Sequence, residues 1–172
     1  MWVGVSGGAT LGVIAALRRP TMIRSALLHE PLIGPAAKSV HRTINAAAEQ
    51  LASGPIGPKA SREAAVTFVQ KLVGAEAWSA LGTAGRAAVV ARAEAIHAEV
   101  PRFAAFEASW APDDGAVDVV ITVGERSPAM RHEAAELAAE VLRGRVLVVP
   151  GVGHLPQVEA PTAYAEIIRR NT

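Results

Sequence analysis

The 172-residue chain contains no cysteine. Disulfides, thiolate nucleophiles and cysteine metal sites are therefore excluded, and a reducing cytoplasm is the compatible and expected location. Charge of one sign is also missing: 17 basic residues face 16 acidic ones, interspersed, for a formal net charge of +1. Without a basic face there is no footprint for nucleic acid, and small neutral partners are expected instead. The five histidines show neither H-x-x-x-H nor H-E-x-x-H spacing, so no metal and no other cofactor is anticipated. No internal repeat and no long low-complexity tract stands out beyond a general richness in alanine.

The first 17 residues carry no charged side chain, which raises the question of a signal peptide or membrane span. No basic stretch precedes this segment, Gly4, Gly7, Gly8 and Gly12 interrupt it, and it falls short of the roughly 20 apolar residues a span requires. A strand followed by a buried helix accounts for it, and no membrane partner is expected. About half of the residues are hydrophobic, the profile of one well-packed domain.

Trp2 to Val5 is a short apolar run ending in glycines, and Ala9 to Leu17 is helix-compatible up to Arg18, Arg19 and Pro20. Ser25 to His29 is a second apolar run, stopped by Glu30 and Pro31. Val117 to Val123 and Val146 to Val149 are β-branched runs separated by an Ala- and Glu-rich helix from about Ala129 to Leu142. Strands apolar throughout belong to parallel sheets covered on both faces, so the ends of the chain predict an α/β fold with about four parallel strands. Between them, from 35 to 112, helices are expected at Val40–Ala52, Ser61–Val73, Ala75–Leu81, Arg86–Ala98 and Arg102–Trp110, with Ser61 as an N-cap. The chain thus divides into a core of 1–34 and 113–172 and a helical cap of 35–112. Phe68, Trp78, Phe103, Phe106 and Trp110 are candidates for an apolar pocket roof, or ordinary core.

Gly4-Val5-Ser6-Gly7-Gly8 fits G-x-S-x-G, where a serine rides a sharp strand-to-helix turn with its hydroxyl lifted out at the sheet edge. Glycines are expected on both sides because strand end and helix start approach too closely for β-carbons. The amide of Gly7, at the helix start, is placed to hold an oxyanion. A glycine-rich turn of this kind can also cradle phosphate, but serine replaces the second glycine of G-x-G-x-x-G and no Walker lysine follows.

The last strand runs into Pro150-Gly151-Val152-Gly153-His154-Leu155-Pro156, followed by Glu159, Ala160 and Pro161. This G-x-G-H-x-P-x-x-E-x-P run resembles the α/β-hydrolase segment that carries the catalytic histidine. The resemblance covers essentially the whole chain, through "GVSGGA" at 4–9, "HEP" at 29–31, "GAEAWSAL" at 74–81 and "VGERSP" at 123–128. It implies Ser6 as nucleophile, His154 as general base and an acid between them in chain order. Most relatives place an aspartate shortly after the penultimate strand, where this chain has Ser127. Others, such as haloalkane dehalogenases, carry the acid one strand earlier, and Glu30 occupies that place; Glu125 is the alternative acid and Asp118 the third choice. Dehalogenation itself is disfavoured, since those enzymes use an aspartate where Ser6 stands.

The resemblance implies hydrolysis of small apolar ester-like substrates. The family fold opens with about four strands and a loop that donates a second oxyanion amide; here Met1 leads directly into the nucleophile strand, so weak activity is expected of this chain alone, with self-association through the free sheet edge. The rival reading is a non-catalytic remnant of the fold that binds a partner.

Overall fold

The computed structural model of the chain describes residues 1–34, 38, 39, 42, 58–92, 95 and 117–171. Its elements run β1 (Trp2–Val5), α1 (Gly7–Arg18), a 3₁₀ turn (Pro20–Met22), β2 (Ser25–His29), α2 (Pro58–Ala80), α3 (Gly82–Ala91), β3 (Asp118–Gly124), α4 (Ala129–Leu142), β4 (Arg145–Val149), α5 (Pro156–Glu159) and α6 (Pro161–Arg170). The four strands form one sheet in the order β1-β2-β3-β4, and all three pairings are parallel. Parallel pairing puts the C-terminal ends of all four strands at one rim, so the loops after Val5, His29, Gly124 and Val149 open on the same side.

Alternation along the central strands explains why they read as continuous apolar runs. Ala26 and Leu28 of β2 and Val119, Ile121 and Val123 of β3 face α1 and α4, while Leu27 and Val120 face Tyr164, Ile167 and Ile168 of α6. Both faces are covered, so the polar positions on these strands are confined to their ends and to Thr122, whose hydroxyl is bonded to His29. Helix α4 presents Ala134, Ala135, Ala138 and Ala139 to the sheet, and side chains this small let the helix lie close to it. The edge strands differ: Val3 on β1 and Val146 and Val148 on β4 are exposed. Among the described residues, β1 has no neighbour beyond β2.

The expected helices at 61–73 and 75–81 are two halves of α2, separated by a kink at Gly74, whose φ of 82° leaves the helical region. Ser61 lies inside α2 and is not its N-cap, because the helix already begins at Pro58; proline's fixed φ and missing N–H suit a first turn. The helix expected at 86–98 is present over 86–91 as part of α3, which begins earlier, at Gly82; of 93–98 only Ala95 is described, and it is helical. Leu32, in the loop after β2, packs with Val69 of α2 and with the partly buried Leu72, Val73, Trp78 and Val89, which fastens α2 and α3 to the rim. The expected helices at 40–52, apart from Arg42, which is helical, and at 102–110, with Phe103, Phe106 and Trp110, lie outside the described residues, as does the side chain of Phe68. Among the described residues no helix is long and apolar enough to cross a membrane.

Candidate active site

Ser6 sits between β1 and α1 with φ 53° and ψ −117°, a conformation that L-residues rarely adopt. Its N–H donates to the His29 carbonyl at 2.8 Å, and its own carbonyl accepts from Thr10 N at 2.9 Å, so the turn is held from both sides. The close approach behind it falls on one glycine. A Cβ on Gly4 would lie 2.5 Å from the Gly8 carbonyl carbon, whereas one on Gly8 would meet nothing within 4 Å. The symmetrical need for glycine expected from the motif is thus confined to Gly4. Trp2 Nε1 donates to the Gly8 carbonyl at 3.1 Å and braces the same turn. Gly7 is the first residue of α1, where backbone amides lack helical acceptors.

Glu30 follows β2 directly and also has a positive φ, 47°. The turn carries its carboxylate into the rim, where it is 1% exposed. Oε1 accepts the Gly124 amide at 3.0 Å and the Ser127 hydroxyl. Oε2 lies 2.6 Å from Nδ1 of His154, a residue 124 positions further along the chain. Burial alone would raise this carboxyl, but the His154 hydrogen bond, the nearby imidazoles and the Ser127 hydroxyl outweigh it and hold it at about 2. It is therefore ionised at neutral pH. Since an ionised carboxylate only accepts, Nδ1 of His154 bears the proton and Nε2 is the free base. Burial pulls the His154 pKa below its ordinary value, against the opposing effect of Glu30.

The loop bearing His154 is clamped by carboxylates on each side. Glu159 accepts Gly153 N at 2.8 Å and Leu155 N at 2.9 Å, and Glu125 accepts Gly151 N at 2.8 Å. Glu125, the alternative acid, thus lies against the loop backbone and away from the imidazole of His154. Asp118 opens β3, at the opposite edge of the sheet, where it pairs with Arg145 at 3.4 Å. Arg126 joins Glu159 at 2.7 Å and also bonds Glu76 of α2, linking the histidine loop to the helical segment.

Three contributors were not legible as site residues. His29, which had no distinguishing sequence context, is fully buried; its Nε2 donates to the Gly153 carbonyl at 3.2 Å and its Nδ1 accepts from Thr122 at 2.9 Å. With its backbone carbonyl holding Ser6, this one residue ties the serine turn to the histidine loop. Burial lowers its pKa to about 4, so it is neutral at pH 7. Arg131 of α4 is 3% exposed, with Nε 3.9 Å from Glu30 Oε2. Ser127, at the place where the resemblance leads one to expect an aspartate, is bonded to the Glu30 carboxylate. No hydrogen bond joins Ser6 to His154. Among the described residues no cluster of three potential ligands could hold a metal.

No curated protein sequence matches the chain. Solved structures do share its fold: a hydrolase from Pseudomonas aeruginosa PA01 (20% identity, TM-score 0.65, covering 98% of this chain and 62% of that one) and Rv0554 from Mycobacterium tuberculosis (18%, 0.61, 98% and 63%). An esterase from a marine microorganism is similar at 14% identity and a TM-score of 0.62, covering 99% of this chain and 69% of that one. The chain spans 62–65% of the length of the first of these similar structures. The model of the "Alpha/beta hydrolase family" matches residues 1–167. A parallel sheet with a strained serine turn after one strand and a carboxylate-bonded histidine after the last, matched over nearly its whole length by that model, makes this chain a member of the alpha/beta hydrolase family.

Proposed function

We propose that the chain carries the serine, acid and base of a serine hydrolase acting on ester-type bonds, with Ser6 as nucleophile, His154 as general base, Glu30 as the orienting acid and Gly7 N–H as an oxyanion donor. The 2.6 Å bond from His154 Nδ1 to the buried Glu30 carboxylate carries the reading, because it leaves Nε2 as a free base on the rim where Ser6 emerges. In the reaction, Nε2 takes the Ser6 hydroxyl proton as Oγ attacks the carbonyl carbon, and the carbonyl oxygen becomes an anion facing Gly7 N–H. Collapse expels the alcohol, which leaves with the proton from His154. Water then repeats the sequence on the acyl-serine and releases the acid.

Only the Gly7 amide is assigned to the oxyanion among the described residues. Losing one oxyanion donor typically costs about 10² to 10³ in rate, which is the weight the reading gives to this amide. The second reading, a hydrolase fold kept as a non-catalytic partner-binding module, draws on the missing hydrogen bond between Ser6 and His154. Catalytic hydrogen bonds often tighten only in the substrate complex, which favours the first reading. A fluorophosphonate probe decides between them without requiring turnover. Covalent labelling that disappears in Ser6→Ala and His154→Ala supports the hydrolase; no labelling of the folded chain sinks it.

A further inference from the structure

Beside the acid and histidine lies a cavity of about 280 Å³, walled by α2 on one side and by the start of α4 on the other. Its lining carries three cations, Lys71, Arg126 and Arg131, and one carboxylate, Glu30. The Glu30 carboxylate takes its hydrogen bonds from Gly124, Ser127 and His154 and offers Arg131 only an ion pair at 3.9 Å, and Arg126 is matched by Glu76 and Glu159. Lys71 and Arg131 also line the cavity, and Lys71 has no ion pair among the described residues. Arg131 is the more telling: it is 3% exposed, its ion pair with Glu30 is 3.9 Å long, beyond hydrogen-bond reach, and Nη1 has no hydrogen-bond partner among the described residues. A buried guanidinium donor left without an acceptor costs about 1–3 kcal/mol or more, and evolution seldom retains one without use. The same wall holds the N-terminus of the 14-residue α4, whose first amides and positive dipole end also favour an anion.

We propose that this cavity is a carboxylate subsite: the substrate is an anionic half-ester of a short dicarboxylic acid, whose free carboxylate is held by Arg131, with Lys71 at the mouth. Pro128, Met130, Leu72 and Val73 supply apolar wall for the few methylenes between the two ends. The proposal rests on the serine-hydrolase reading for the ester but not for the anion, and it differs from the small neutral partner expected from the charge balance and the apolar ester that the resemblance implied.

Two measurements keep the readings apart. Succinate binding is followed by calorimetry at pH 7 and low salt, with succinamide as the neutral control. Succinate should bind and succinamide should not; Arg131→Met should weaken binding about 10- to 100-fold, the worth of a hydrogen bond to a charged group. Arg131→Lys should recover part of that loss. Lys71→Ala, at an exposed position that does not threaten folding, should weaken binding about threefold. Separately, kcat/KM is compared for mono-p-nitrophenyl succinate and p-nitrophenyl butyrate, and the charged-to-neutral ratio should fall in the same variants. Succinate binding no tighter than succinamide, or a ratio that Lys71→Ala and Arg131→Met leave unmoved, overturns the subsite and assigns the open donor to water. Succinate binding that depends on Arg131, in a protein whose Ser6 takes no fluorophosphonate, keeps the subsite and removes only the hydrolase.

Discussion

Replacing Glu30 by glutamine is nearly isosteric and removes one charge, yet its consequence can be worked out from the donors around it. Two donors, the Gly124 amide at 3.0 Å and the Ser127 hydroxyl, converge on Oε1. The carbonyl oxygen of a glutamine settles there, which turns the NH₂ group toward His154 Nδ1, now 2.6 Å from Oε2. Nδ1 must then accept, the imidazole proton moves to Nε2, and the nitrogen that should take the Ser6 proton is occupied. The corresponding tautomer error in a Ser-His-Asp site costs about 10⁴ in kcat, and a loss of that order is expected here. The rate of Ser6 labelling by a fluorophosphonate, with p-nitrophenyl ester turnover alongside, reads the effect, and urea unfolding checks that the fold survives. Ser127→Asp in the Glu30→Gln background should restore part of the rate, because it returns a carboxylate to the place where most of the family carries one. Glu125→Gln should do little, since Glu125 holds the Gly151 amide and not the imidazole. The assignment fails if Glu30→Gln labels within tenfold of the parent, or if Glu125→Gln produces the large loss.

Gly4→Ala should destabilise the chain by about 1–3 kcal/mol or prevent folding, because its Cβ meets backbone at 2.5 Å. Gly8→Ala should be neutral or stabilising by up to about 1 kcal/mol, and equal losses in the two thermal melts would refute this asymmetry. Stability should fall with acid in two stages. His29 has a folded pKa of about 4 against an ordinary 6.5, so the unfolded chain takes up the proton first and stability present above pH 6.5 is lost by about pH 4. Glu30, at about 2 against 4.5, adds a loss of the same sign between pH 4.5 and 2. Each stage is worth about 3 kcal/mol. His29→Asn should flatten the first stage in urea titrations from pH 3 to 8, and an unchanged slope there would contradict the role of burial. Glu159→Ala frees the amides of Gly153 and Leu155 and should speed hydrogen exchange across 151–155 while slowing Ser6 labelling. Protection equal to that of the parent would show that the clamp is idle.

Much of the site was readable because its signals are local. The G-x-S-x-G turn spans five residues and the histidine loop seven, so backbone geometry and neighbouring strands reveal them without any partner. The two central strands were legible for a similar reason, since burial on both faces leaves apolar runs such as Ala26–Leu28 and Val119–Ile121. Glu30 could be ranked first from its place after β2, with Glu125 kept as the alternative because both follow strands that end on the same rim.

The contact between Glu30 and His154 is visible only in the folded chain, and the reason is separation in sequence. Glu30 meets His154 across 124 positions, Ser127 across 97 and Gly124 across 94, contacts that exist only because β2 lies beside β3 and β3 beside β4. His29 and Arg131 had no pattern to mark them; burial and the want of a partner became visible once helices and sheet had closed around them. The sequence by itself determined which side chains stand at the strand ends, since that follows from periodicity and turn chemistry over a few residues. Tertiary structure decided which of them come within hydrogen-bond reach and which donor is left over, since strand order alone sets the distances between loops and the water excluded from them.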